Sequence, residues 1–183
     1  MKTRFTVLFA ALTAAVVFST PGRAVEPAVQ AKIDAELPKI KALAAESEIV
    51  SAVKTHNAGL SADEQAMTQE KWKSLTLLDP FVRSYSKNAA GVALKAKKTE
   101  AVSEAFLSGA DGVKVAFLSK PTNWSHKGKP KHDVPMGGQS WQGEIEVDES
   151  TGLQQIQVAV PVLDGEKPIG SLVVGLSISK LKG

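Results

Sequence analysis

Within residues 119–142, five side chains combine the chemistries that a small-molecule site needs. Lys120 supplies a cation, Thr122 a hydroxyl, His132 a ring that titrates near neutrality, and Trp124 and Trp141 two flat apolar faces. A mostly apolar wall with a few placed polar groups fits small organic anions. The plainer alternative is that the two tryptophans cap the open face of a sheet. Arg83 and Tyr85 are further ligand-binding candidates. Arg83 is the only arginine after residue 24, and its guanidinium fork can grip a carboxylate through paired hydrogen bonds. It can equally serve on a helix surface beside a local acid.

Other chemistries find little support. His126, His132, Asp133 and Glu144 could be offered as metal ligands, but the two histidines are not spaced as a helical pair and no third strong ligand is fixed nearby. Neither a metal nor a cofactor is expected. Serines are plentiful, yet there is no Gly-x-Ser-x-Gly elbow, and the strands read as antiparallel rather than as the parallel platform such an elbow needs. An enzyme is not expected, and no catalytic residue is assigned.

Lys2 and Arg4 precede an apolar stretch over 5–18, followed by Ser19-Thr20-Pro21-Gly22-Arg23-Ala24. This is the layout of a secretory signal peptide over 1–24, with cleavage after Ala24. The apolar stretch would span about 21 Å as a helix, short of the roughly 30 Å hydrocarbon core, which favours cleavage over anchoring. The expected location is the periplasm. Of 22 basic residues, Lys2, Arg4 and Arg23 fall in this segment and no acid does, which leaves 19 against 19 acidic. A neutral chain with interspersed charges gives no reason to expect nucleic acid as a partner. There is no cysteine, so stability must come from a hydrophobic core. Residues 25–183 suffice for one domain with a helical segment, 25–98, and a sheet with ligand loops, 99–183.

Val29, Ile33, Leu37, Ile40, Leu43, Val50 and Val53 recur at helical spacing over 26–57, with Pro27 suited to a first turn and Gly59 to a stop. Pro38 should kink or split this helix. Its stripe either packs on its own domain or forms a coiled-coil seam, which would make a homodimer. Ser61 and Glu64 form a capping box for a second helix running through Met67 and Trp72 toward Leu75. Asp79-Pro80 opens a third, carrying Phe81, Val82 and Tyr85 and fading over 88–91. After Thr99 the pattern changes to strands at 101–107, 113–118, 143–147, 153–162 and 169–178, separated by Gly- and Asp-rich turns. Helices first and antiparallel strands afterwards give an α+β fold. The loop at 119–142 is longer than compact domains usually carry without a function.

The run Val158-Ala159-Val160-Pro161-Val162-Leu163-Asp164-Gly165-Glu166-Lys167-Pro168-Ile169-Gly170, continuing to Leu176, resembles the last two strands of Cache domains. These are the extracytoplasmic, PAS-like sensors also called PDC domains. The Gly109-Ala110-Asp111-Gly112 turn, Thr122-Asn123-Trp124, Ser140-Trp141-Gln142-Gly143 and the turn from Asp148 to Gly152 follow in that family's order. The resemblance covers roughly 26–181. It implies a five-stranded antiparallel sheet backed by the long N-terminal helix, with a small-molecule pocket between the sheet and the loops before its third strand. Two departures stand out. Cache domains usually sit between two membrane helices of a receptor, and the second helix and an output domain are missing here. The amino-acid-binding signature of larger Cache receptors is not reproduced around Arg83 and Tyr85. The resemblance thus implies a stand-alone, non-enzymatic sensor module that binds a small metabolite and signals to a membrane sensor or transporter. The alternative is a protein-interaction module that dimerises through its long helix and binds no ligand.

Overall fold

A computed structural model describes residues 25–147 and 152–182. The signal segment at 1–24 and most of the turn after position 147 lie outside the described residues. Two helices lead, α1 (Pro27–Ala44) and α2 (Ser47–Ala58). The single expected helix is indeed divided, but at Ala45 and Glu46 rather than at Pro38, which sits inside α1. The burial stripe explains the position. Val29, Ile33, Ile40 and Ala44 keep one face of α1, whereas the next buried residue, Ile49, lies five positions on. A five-residue step turns roughly 140° away from that face, so the chain breaks and re-enters a helix with its apolar side reset.

The second expected helix is also two. Ser61 and Glu64 do form a reciprocal capping box, but the helix it opens, α3 (Ala62–Gln65), is one turn long. Thr68 then caps α4 (Gln69–Ser74), its hydroxyl accepting the Lys71 N–H at 3.2 Å. Asp79 caps α5 (Pro80–Lys87) through a 2.8 Å bond from the Phe81 N–H. The chain does not fade after it: Asn88 caps α6 (Ala89–Ala96), accepting from the Gly91 N–H at 2.8 Å.

The strands are β1 (Val102–Gly109), β2 (Lys114–Phe117), β3 (Trp141–Val147), β4 (Gln154–Asp164) and β5 (Lys167–Ser177). They form one antiparallel sheet in the order β2-β1-β5-β4-β3. The tight β4–β5 connection places Gly165 at φ 61°, a left-handed conformation that glycine adopts without steric cost. A short helix, α7 (Pro130–Met136), interrupts the long loop before β3, and α8 (Ile178–Lys182) follows β5.

Strand alternation divides the interior. Ile33, Ile49, Val53 and Leu94 of the helices pack on Leu107, Val160, Leu172 and Val174 on one face of the sheet. Phe106, Phe117, Ala159 and Val173 point to the opposite face, where they meet Trp72, Tyr85 and Trp124. That second face is not wholly apolar. Where α7 and the 119–129 loop cover it, strand positions that would normally carry core residues carry glutamine, glutamate, serine and lysine instead.

Candidate ligand basin

On this face Glu104 of β1 lies opposite Gln155 and Gln157 of β4, although β5 runs between the two strands. The reach is possible because β5 carries Gly175 there. A Cβ at that position would stand 2.5 Å from the Gln155 Oε1 and 2.6 Å from the Glu104 Cγ, so any side chain would force them apart. A register shift between Val102 and Glu104 adds the Ser103 hydroxyl, which donates to the Gln155 Oε1 at 2.6 Å. Gln155 and Gln157 both donate to the Glu104 Oε1, at 2.8 and 2.5 Å. The Gln157 carbonyl in turn accepts from the Lys131 ammonium of α7 at 2.5 Å. A chain of oriented amides thus links a cation on the covering helix to a carboxylate on the sheet.

These groups form the floor and one wall of a cavity of about 300 Å³. Pro121, Thr122 and Asn123 contribute the loop side, and Phe106 and His126 close the inner end. The His126 ring lies parallel to Phe106 with centroids 4.8 Å apart. Behind it stands Lys114, a fully buried lysine that makes no ion pair among the described residues. Its Nζ donates to the Ser108 hydroxyl at 3.1 Å and meets the His126 Nδ1 at 2.5 Å. Burial, reinforced by the positive charge of Lys131, holds the Lys114 amine well below the usual lysine range. Burial, with Lys114 and Lys131 nearby, pushes His126 down to about 2. Burial therefore disfavours the charged form of both groups. With the Lys114 Nζ donating to Nδ1, the ring hydrogen of the neutral His126 lies on Nε2.

His132 is buried beside this cluster, its Nδ1 2.8 Å from the Ser171 hydroxyl of β5. Burial lowers its pKa, partly offset by the Ala110 backbone. Helix α7 is thus held to the sheet by two adjacent residues, Lys131 onto β4 and His132 onto β5.

Of the seven sequence candidates, Thr122 lines the basin and His132 supports its covering helix. Trp124 and Tyr85 belong to the aromatic core, both 5% exposed. Trp124 stacks obliquely on Trp72 at 5.0 Å, and the Tyr85 hydroxyl donates to Glu64 at 3.0 Å. Rings of this size fill the space between α4, α5 and the sheet rather than face the basin. Lys120 lies 4.5 Å over the Trp72 ring, Trp141 opens β3 with its ring across Gly143, and Arg83 stands on the exposed side of α5. None of these three lines the basin. The residues the sequence reading did not single out are Glu104, Lys131, Gln155 and Gln157. Their one sequence signal is the alternation of Gln155 and Gln157 with Ile156 and Val158, a polar face on an otherwise buried strand.

A larger hollow of about 780 Å³ lies between α2 and α5–α6, reaching Tyr85 and Val115. Its principal polar groups are engaged in holding helices: Glu64 in the capping box and on Tyr85, His56 on Asp111 at 3.1 Å, and Asn88 on Gly91 and Val115. The basin differs in presenting its polar chain to the cavity.

A five-stranded antiparallel sheet preceded in the chain by helices is an α+β arrangement consistent with the PAS-like fold. No family model matches the sequence, and no curated protein matches it. Among solved structures, the chain is similar to the sensor domain of the V. cholerae histidine kinase DctB, at 14% identity and a TM-score of 0.52, over 84% of this chain and 52% of that one. The chain therefore spans about half the length of that domain. It is also similar to the E. coli DcuS sensor domain, at 12% identity and a TM-score of 0.50, over 86% of this chain and 96% of that one. What these similarities share with the protein is the fold.

Proposed function

We propose that the protein is a periplasmic, non-enzymatic sensor module that binds a small polar metabolite in the basin and passes occupancy to a membrane sensor or transporter. The observation that carries this reading is the oriented chain Lys131–Gln157–Glu104–Gln155 along the floor of a roofed cavity of about 300 Å³. Gln155 and Gln157 are buried on the sheet, and carboxamides so placed must recover their lost hydration through hydrogen bonds. The arrangement suits a ligand with a hydrogen-bond donor at the Glu104 end and an acceptor or anion at the Lys131 end, and the cavity size is at the lower end for small-molecule sites. The solved structures of the same fold are sensor domains, which supports sensing as the use of the site. Because α7 is tied to β4 and β5 by Lys131 and His132, a ligand that engages Lys131 alters how the covering helix is held.

The test is a thermal-shift screen of the protein against small carboxylates, hydroxy acids, amines, sugars and nucleobases. A ligand at a hundred times its Kd should stabilise by about 2.7 kcal/mol, and Glu104→Gln and Lys131→Met should each abolish the shift. A folded protein that responds to nothing in the panel, or a hit that both variants retain, would overturn the proposal.

A further inference from the structure

A third cavity, of about 360 Å³, opens on the opposite face of the sheet from the basin, between the end of α1, the end of α6 and the start of β1. Its walls are Ile40, Leu43, Leu94, Val102, Leu118 and Val174. Three of these, Ile40, Leu94 and Val174, are at most 5% exposed, so the hollow reaches into the main core. Interiors of this kind normally close to near-crystalline density, and apolar cavities that remain are dry and take apolar guests. The junction between α1 and α2 lies at its mouth, where Glu46 contributes to the lining. Polar residues occur only there: Glu36, Lys39, Glu46, Lys97, Lys98 and Thr99. Lys39 pairs with Glu36 at 2.7 Å and Lys97 with Glu46 at 3.0 Å, while Lys98 makes no ion pair among the described residues. The rim therefore carries one unmatched positive charge above an entirely apolar shaft.

We infer that this cavity is a second ligand site, independent of the basin, for an amphiphile with an aliphatic tail and an anionic head, such as a medium-chain alkanoate. The tail replaces the void against Leu94 and Val174, and the carboxylate lies at the mouth beside Lys98.

The experiment is calorimetric titration of the protein with sodium alkanoates of increasing chain length, kept below their micellar concentrations, alongside methyl NMR. Each added methylene should tighten binding about fourfold until the shaft is full, and the Leu94 and Val174 methyl resonances should shift. Ala42 lines the mouth from an exposed helix position, so Ala42→Trp should plug it and abolish binding without loss of fold. Lys98→Glu should weaken alkanoates about fivefold and leave the corresponding alkanols unaffected. The inference is overturned if no alkanoate binds, if affinity is independent of chain length, if Ala42→Trp binds as before, or if Lys98→Glu weakens alkanols and alkanoates alike.

Discussion

The buried His126 makes the protein sensitive to acid in a defined direction. The folded-state pKa of His126, about 2, lies below its ordinary 6.5. As pH falls past 6.5 the unfolded chain takes up the proton and the folded chain does not. Stability present above pH 6.5 is then lost on acidification, by about 1.4 kcal/mol per pH unit for that one histidine. Unfolding curves between pH 7 and 4.5 should show this slope, and His126→Gln should reduce it; an unchanged slope would place the acid sensitivity elsewhere. Gly175→Ala should destabilise by about 1 to 3 kcal/mol, because the new methyl must displace Glu104 or Gln155. These residues were hard to read in the sequence. Lys114 sits in an apolar run, and nothing in the neighbourhood of Gly175 announces that two side chains meet across it. Gln155 and Gln157 alternate with Ile156 and Val158 in the sequence, but their partner on β1 is brought to them only by a strand placed between.

At the scale of elements, the helices depend on small polar residues that occupy their first positions. Asn88 serves two masters, accepting from Gly91 to start α6 and donating to the Val115 carbonyl at 2.8 Å to hold that helix onto β2. Asn88→Ala should cost about 1 to 2 kcal/mol in urea unfolding; a change within a few tenths would show that packing alone positions α6. The Ser61 and Asp79 caps were legible because each precedes a recognisable signature. Thr68 and Asn88 were not, since Thr68 falls inside the run that reads as one helix from Ser61 toward Leu75, and Asn88 opens the small-residue stretch at 88–91 that reads as a helix fading out. Pro38 misled in the opposite sense: one lost hydrogen bond in a helix held by core contacts on both sides did not break it, whereas a change in the phase of the apolar stripe did.

For the whole molecule, the α+β class, the five strands and their approximate limits followed from periodicity, while the order of the sheet did not. The run from Ile169 to Ser177 is nearly unbroken in apolar and small residues, which suits a strand buried on both faces, and β5 indeed lies at the centre between β1 and β4. Which strand pairs with it is decided by contacts distant in sequence. The same limit explains Trp124. Its place in a polar, turn-rich loop suggested a ligand surface, but that loop folds inward, and the ring shares a core with Trp72, Phe81 and Tyr85. Trp124→Ala should therefore cost about 3 to 5 kcal/mol, measured by denaturant unfolding; a variant of native stability would contradict that role.

The start of α1 and the end of α8 meet, with the Lys182 ammonium 2.9 Å from the Glu26 carboxylate. The path of the chain is thus nearly a closed loop, and its point of opening is a matter of connectivity more than of architecture. Joining position 182 to position 25 through a few glycines and cutting at Gly165 should yield a permuted protein with the same sheet. Its melting temperature would measure how much of the fold depends on the continuity of the β4–β5 hairpin.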